Sequence, residues 1–388
     1  MKKVLFALLA ALSLTAARAD LSGSIGTNTG IFYEYYTSSG LLKIFRDDSY
    51  HSGVMPDFDY ADVPWASVRN NIQKITIVEG ITNLGNKVFF NHTSVTSISL
   101  PSSLTSIGTN AFAGCTALES VTLPGSLTGI YNGTFEGCTS LMSVSLPSSL
   151  TSIGANVFKG CTALESITLP GSLTSIGASA FAGCTALESI TFPSSLTNIG
   201  EGAFSGCKSL ESVSLPSSLT SIGTNFFLNC TALNSITLPS SLTSIGEGAF
   251  SGCTALNSIT LPSSLTNIGE EAFRACEGLT TLTIPDGVEV IGKDAFIGCD
   301  NVTSLTLGSN LREIGEGAFG RLEGLTTLTI PDRVEVIGAY AFEWCKNITS
   351  LTLGNNLREI GEGAFYFFEG LTTLTIPDGV EVIGKEAF

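Results

Sequence analysis

Apolar residues recur along most of the chain with a period of 23 residues and without insertion or deletion. We take as markers Val78, Pro101 and then every 23rd residue to Pro377, which together define fourteen registers. Phe stands eleven residues after every marker, from Phe89 to Phe388. A unit of this length cannot bury its own apolar side chains. The pattern therefore predicts short rungs that stack around one continuous core.

Directly before each marker, an L-x-x-L-x-L pattern alternates apolar with small polar residues, as at Leu118, Val121 and Leu123. Alternation of this kind predicts a short strand. The strand ends at the marker, which is usually Pro and cannot donate to a sheet. The segment "AF.GC" that follows predicts a tight return turn. We therefore predict a solenoid with a parallel β-sheet on one face and short turns, 3₁₀ or helical segments on the other.

The motif L-x-x-L-x-L-P, followed by "IG..AF..C" at a 23-residue period, resembles the leucine-rich repeats of the BspA-like (Treponema pallidum-type) surface protein family. The resemblance covers about residues 77–388. It implies a leucine-rich repeat solenoid of about fourteen rungs. It also implies attachment to host extracellular matrix proteins, such as fibronectin and fibrinogen, or to other cell-surface proteins or glycans.

Residues 1–19 have the features of a signal peptide. A basic start "MKK" precedes an apolar run that is too short to span a bilayer, and Ala17, Arg18 and Ala19 form an A-x-A cleavage site. We therefore expect a secreted or cell-surface protein, with no membrane insertion after cleavage of the signal peptide.

Residues 20–76 predict a small β-rich N-terminal cap, because the first rung needs a cover over its apolar end. Leu42, Ile44, Phe58 and Trp65 are the candidates for that cover. The array at 77–388 shows a 46-residue super-repeat from residue 277 and ends within a repeat. This ending favours a fragment of a longer chain, with a frayed last rung or end-to-end self-association as the alternatives.

The charge balance bears on the class of partner. The chain has 18 Lys and Arg residues against 34 Asp and Glu residues, a formal net charge of −16. Such a surface repels phosphate groups, so we expect no nucleic acid partner and no binding to anionic lipid surfaces.

Catalytic chemistry has little support in the sequence. His51 and His92 are the only histidines, and no nucleophile elbow, zinc-protease or phosphate-binding motif occurs. The acidic residues recur from repeat to repeat, whereas an active site is a singular constellation. We expect no enzyme activity, no metal and no cofactor.

All ten cysteines stand fourteen residues after a marker, a position that also accepts Leu322 and Phe368. This acceptance indicates an interior position, and buried packing thiols are the favoured interpretation. Occasional disulfides and a metal site are the alternatives, although neighbouring side chains that point the same way are poorly placed for a bridge. The predicted core ladder includes Cys115, Cys138, Cys161, Cys184, Phe112, Phe135, Phe158 and Phe181.

The strand face is the candidate binding surface. Ser or Thr occupies the positions two and four before the marker in all thirteen rungs from Ser97 onwards, and a partly acidic row runs five before it. The candidate residues are Glu119, Ser120, Thr122, Glu165, Ser166, Thr168, Glu188, Ser189, Thr191, Glu211, Ser212 and Ser214. A purely solubilising face, in a secreted structural scaffold, is one alternative to a protein- or glycan-binding face. Binding of ice or crystalline polysaccharide is the other alternative, because flat solenoids with regular hydroxyl rows bind such lattices.

Overall fold

The structure is a computed structural model that describes residues 19–27, 29–47, 49, 53–59 and 62–388. The predicted signal peptide therefore lies outside the described residues except for its last residue, and His51 lies outside them too. No described helix is long and apolar enough to cross a bilayer.

The repeats form a parallel β-solenoid of about thirteen turns, which confirms the predicted fold class. The sequence predicts about fourteen rungs, and the difference is small because the last register reaches only Phe388, about half of a turn. Rungs pair in parallel at matching repeat positions, as where Val144 of one rung aligns with Val121 of the one before.

The first ladder of strands lies directly before the markers, and we call its outer surface the strand face. Val or another apolar residue in the middle of each strand points inwards, and the Ser or Thr on either side is exposed. Ser166 and Ser189 belong to no strand, and isolated bridges connect Ser166 to Ser189 and Ser189 to Ser212. The strands are Ser97–Ser99, Ser120–Thr122, Ser143–Ser145, Ser212–Ser214, Ser235–Thr237, Thr281–Thr283, Ser304–Thr306, Thr327–Thr329 and Ser350–Thr352.

A second ladder of two-residue strands lies five and six residues after the markers, where the sequence pattern predicts no strand. Each strand buries its second residue, usually Ile, except the last, in which Ile383 is half exposed, and most strands pair in parallel with those of adjacent rungs. The strands are Asn83–Leu84, Ser106–Ile107, Gly129–Ile130, Ser152–Ile153, Ser175–Ile176, Asn198–Ile199, Ser221–Ile222, Ser244–Ile245, Asn267–Ile268, Val290–Ile291, Glu313–Ile314, Val336–Ile337, Glu359–Ile360 and Val382–Ile383.

The third side of each rung consists of hydrogen-bonded turns, and no helix is present among residues 77–388. Asn110 and Gly114 adopt left-handed backbone conformations with φ of 55° and 74°, and equivalent residues do so in the other rungs. A left-handed residue stops a helix from propagating. The amide groups of Asn110 and Phe112 instead donate to carbonyl groups of the next rung at 3.0 and 2.9 Å.

The N-terminal part adds three strands, β1 (Leu21–Ile25), β2 (Ile31–Tyr36) and β3 (Leu41–Arg46), and a 3₁₀ helix at Ala66–Asn71. β1, β2 and β3 pair in antiparallel order, and β3 then pairs in parallel with β4 (Lys74–Ile77). β4 in turn pairs with the first strand of the strand face. The cap therefore provides the partner strand that the first edge of the solenoid would otherwise lack.

The interior contains columns of identical side chains. The Phe rings of successive rungs are stacked with centroids 5.0 to 5.8 Å apart. Trp65 is fully buried and stacks on Phe89 at 5.7 Å, so it continues the column into the cap. Leu42 and Ile44 are also fully buried, and Phe58 is partly buried against the same core.

Candidate functional site

The strand face brings the predicted site residues onto one surface. The Ser and Thr residues two and four before the marker are exposed in all thirteen rungs, among them every predicted candidate: Ser120, Thr122, Ser166, Thr168, Ser189, Thr191, Ser212 and Ser214. Where the strands pair, the parallel register aligns these residues in two rows along the solenoid.

The hydroxyl groups of the strand face are available to a partner. Among the described residues, only Ser258 of these two rows makes a hydrogen bond to the protein, from its Oγ to Asn257 Oδ1 at 3.1 Å. The side chains point away from the core, and the backbone groups near them are used in the ladder. A ligand that approaches this surface therefore meets unoccupied donors and acceptors.

Other hydroxyl rows of the same rungs are used within the fold. Thr174 lies four residues after its marker, next to the second ladder, and its Oγ1 donates to the carbonyl oxygen of Thr151 at 3.0 Å. Ser172 Oγ donates to the carbonyl oxygen of Leu150 at 2.6 Å. These bonds recur with the repeat and connect each rung to the one before it.

The structure brings three of the four predicted glutamates together. Glu165, Glu188 and Glu211 are exposed and occupy successive rungs, with the Glu188 amide donating to the Glu165 carbonyl oxygen at 3.1 Å and the Glu211 amide to that of Glu188 at 3.2 Å. Met142 separates Glu119 from them and is itself half exposed. The result is an acidic row three rungs long beside the hydroxyl rows.

Depressions open on the strand face, two of them beside a glycine, and sequence reasoning missed them. One has a volume of about 460 Å³ and is lined by residues such as Ser99, Thr122 and Gly125. The other has a volume of about 340 Å³ and includes Gly171. A Cβ atom at either glycine would meet no atom within 4 Å, so the surface there is open. The sequence signal was Gly in place of the usual Ser one residue after the marker.

The cysteine column lies inside the solenoid, and all ten thiols are free and buried. Each thiol donates to the carbonyl oxygen of a Phe (26 residues earlier) at 3.1 to 3.4 Å, as from Cys138 to Phe112. Burial raises the pKa of the thiol to about 12 for Cys115 and Cys184. Such thiols are poor nucleophiles. The structure places Phe112, Phe135, Phe158, Phe181, Cys138 and Cys161 in the same fully buried core.

His92 occupies the cysteine slot of the first rung and is fully buried. Its Nε2 accepts a hydrogen bond from Trp65 Nε1 at 2.9 Å, so the ring proton lies on Nδ1, which donates to the carbonyl oxygen of Phe90 at 3.2 Å. Burial lowers the pKa of His92 to about 4. This histidine links the cap to the array in its neutral form. No group of three or more potential metal ligands is clustered in the described part of the chain.

The comparisons with known proteins agree with this geometry. A leucine-rich repeat protein from Bacteroides ovatus ATCC 8483 is 26% identical, with a TM-score of 0.64, and the match covers 92% of this chain and 98% of that chain. A leucine-rich repeat protein from Eubacterium ventriosum ATCC 27560 shares the fold at 22% identity and a TM-score of 0.54, over 95% and 94% of the two chains. No curated protein matches the chain.

The family model described as "BspA type Leucine rich repeat region (6 copies)" matches residues 67–188, 151–280 and 266–388. Together these matches span more than four fifths of the sequence, including the whole repeat array. The chain therefore belongs to the BspA-type leucine-rich repeat family, as the resemblance of its repeats predicted.

Proposed function

We propose that this protein is a secreted or cell-surface binding protein that attaches to host extracellular matrix proteins, or to other cell-surface proteins or glycans, through its strand face. The observation that carries the proposal is the contrast in hydrogen bonding between hydroxyl rows. Hydroxyls elsewhere in the rung bond to the preceding rung, whereas those of Thr168, Thr191 and their equivalents have no partner in the described structure, except at Ser258.

The size and charge of the surface support the same proposal. The two hydroxyl rows run along all thirteen rungs, and solenoids commonly bind partners along such an extended surface. The acidic row of Glu165, Glu188 and Glu211 favours a partner with a basic or amide-rich surface, because complementary charge directs encounter and orientation. The function is non-catalytic binding, in keeping with a repeated surface that has no singular group of reactive side chains.

The experiment measures binding of the full chain to immobilised fibronectin, fibrinogen and laminin at low and moderate salt. The strand-face variant combines Thr168→Val and Thr191→Val with Glu165→Gln and Glu188→Gln. Its matched control combines Thr174→Val and Thr197→Val, which remove two hydroxyls of the same rungs beside the second ladder. We expect saturable binding to at least one matrix protein, weakened at least tenfold by the strand-face variant and unchanged by the control.

Equal loss of binding in both variants, or no binding to any of the three proteins or to a glycan array, would contradict the proposal. Thermal hysteresis by the chain, lost in the strand-face variant, would instead support the ice-binding alternative.

A further inference from the structure

Four aromatic side chains lie on the turn side of two adjacent rungs, away from the strand face, and three of them are in ring contact. Tyr340 and Trp344 belong to one rung, and Tyr366 and Phe367 to the next; we call these four residues the aromatic patch. The ring centroids of Trp344 and Phe367 lie 4.0 Å apart, and those of Tyr366 and Phe367 lie 4.2 Å apart. Trp344 is 42% exposed and Tyr340 is 37% exposed. The patch is therefore an aromatic surface in contact with solvent, in which Trp344, Phe367 and Tyr366 touch one another and Tyr340 lies on the same turn side.

The backbone at the patch is unfavourable for the residues that occupy it. Trp344 and Phe367 have φ of 63° and 64°, in a slot where Gly137 and Gly160 of other rungs adopt the same left-handed conformation without a side chain. Tyr340 has φ of 57° in the second left-handed slot of its rung. Bulky residues are uncommon in this region, although Arg321 adopts it in the same slot of the preceding rung. Because Trp344 is 42% exposed, packing of the core does not explain its presence.

Neighbouring residues hold the Tyr340 ring in place. Its Oη donates to Glu362 Oε1 at 2.8 Å. A Cβ atom at Gly363 would lie 2.5 Å from Cδ1 and Cε1 of Tyr340, so the glycine leaves the space that the ring occupies. The patch is thus a preorganised arrangement, and no other rung of the array has it.

The surroundings of the patch are acidic. Glu343 and Glu362 form no ion pair with any described residue, while Lys385 pairs with Glu386 at 3.3 Å. Two other cations of this region also have carboxylate partners. Arg321 Nη2 lies 3.9 Å from Asp300 Oδ2, and Lys346 Nζ lies 2.5 Å from Glu323 Oε2. The hydrogen bond to Glu362, burial, and the charges of Glu362, Glu343 and Glu386 raise the pKa of Tyr340. The negative charge at the patch is therefore in excess.

We propose that the aromatic patch binds a basic peptide segment of a partner protein through a lysine or arginine side chain. A cation is attracted to the faces of aromatic rings, most strongly to Trp. Glu343 and Glu362 then pair with its charge, and the net charge of −16 of the whole chain favours the approach of a basic partner. A neutral saccharide would stack on the rings but would gain nothing from the excess of negative charge. This site is separate from the strand face and does not depend on its function.

The test measures binding of a fluorescently labelled octaarginine peptide to the full chain by anisotropy, at physiological salt. The first variant is Trp344→Gly with Phe367→Gly. Both substitutions introduce glycine, the residue that other rungs have in this slot, as at Gly137 and Gly160. The variant should therefore fold, and circular dichroism checks that it does. We expect at least tenfold weaker binding. In the unchanged chain, the exposed Trp344 gives a second signal, because Trp65, the only other Trp, is fully buried.

Two charge variants complete the test. Glu343→Gln with Glu362→Gln should weaken binding several-fold and make it less sensitive to salt. The matched control is Glu201→Gln with Glu247→Gln, which changes two exposed glutamates in the slot that Glu362 occupies, on rungs far from the patch, and should leave binding unchanged. Equal binding by the Trp344→Gly, Phe367→Gly variant and the unchanged chain would overturn the proposal, as would equal weakening by this control. Binding of a neutral oligosaccharide that this glycine variant abolishes, with peptide binding intact, would also overturn it in favour of a glycan site.

Discussion

The strand face and the second ladder carry hydroxyl rows of the same chemistry and the same 23-residue spacing, yet they use them differently. On the second-ladder side, Thr174 donates to the carbonyl oxygen of Thr151, and the bond recurs in several rungs. On the strand face, Thr168 and Thr191 have no hydrogen-bond partner among the described residues. Both rows are exposed.

Composition alone therefore does not separate a row of hydroxyls that stabilises the fold from a row that can bind a partner. A hydroxyl whose proton already bonds to a neighbouring rung stabilises the stack and has less to offer a ligand. A free hydroxyl contributes little to the fold and is available for recognition. The predictions below test this contrast, beginning with the core that both faces share.

Loss of a core ring should damage both faces together. Phe181 is fully buried and stacks between Phe158 and Phe204 at 5.3 Å on either side. Phe181→Ala should lower the free energy of unfolding by about 3–5 kcal/mol, through lost burial and the cavity left behind. Urea unfolding followed by circular dichroism measures it. If Phe181→Ala lowers the free energy of unfolding by less than the surface Thr→Val substitutions do, the columnar core is contradicted.

Inside the solenoid, the first rung differs from the others because His92 stands where most rungs have Cys. The folded pKa of His92 is about 4, below the usual 6.5, so the unfolded chain binds a proton that the folded chain does not. Stability from this group is therefore full above pH 6.5 and is lost as the pH falls towards 4, by up to about 3 kcal/mol. Measurements of the free energy of unfolding between pH 7 and pH 4 give the slope of stability against pH.

A His92→Leu variant provides the control for this pH dependence. Carboxylates that titrate in the same window contribute equally to both proteins, so the difference between the two slopes belongs to His92. Parallel pH curves for the two proteins would show that His92 is not kept neutral by the cap.

Because Thr174 has a hydrogen-bond partner and Thr191 has none in the described structure, the same Thr→Val substitution should lower the free energy of unfolding by different amounts at the two positions. Thr174→Val removes the bond to the Thr151 carbonyl oxygen and should cost about 0.5–1.5 kcal/mol. Thr191→Val removes no bond within the described structure and should change stability by less than about 0.5 kcal/mol. Thermal unfolding of the two variants compares them directly. Equal costs would abolish the distinction between the faces.

The smallest effect concerns charge on the strand face. Glu188 lies between Glu165 and Glu211 in adjacent rungs, and like charges side by side destabilise a sheet. Glu188→Gln should therefore stabilise the chain by about 0.2–0.5 kcal/mol at low salt, with the gain disappearing at high salt. Glu119→Gln is the control, because the neighbours of Glu119 in its row, Thr96 and Met142, are uncharged. This substitution should leave the free energy of unfolding unchanged.

Much of the array could be predicted because its signals are local and repeated. The alternation around Val121 predicts a strand, and the repeat of Phe and Cys predicts columns. The second ladder was not predicted, since a two-residue strand such as Ser175–Ile176 is too short to show alternation and exists only through bonds to neighbouring rungs. The turn side was predicted as short turns, 3₁₀ or helical segments, and left-handed residues such as Asn110 decide in favour of turns that bond between rungs.

The candidate site, like the fold, was predicted from the sequence only in part. The exposed Ser and Thr rows and the glutamates were predicted on one face, and the described structure locates them there. The aromatic patch and the depressions at Gly125 and Gly171 were not predicted, because each arises where one residue departs from the consensus in a slot whose surroundings the sequence does not specify.

The solenoid, its core columns and its family follow from the sequence, because a strict 23-residue repeat leaves stacking as the only way to bury the apolar side chains. Tertiary structure alone decided which polar groups remain free. Whether Thr168 or Thr174 has a hydrogen-bond partner depends on a carbonyl group of the neighbouring rung, and whether His92 is charged depends on Trp65 in the cap. Contacts between distant parts of the chain set these properties.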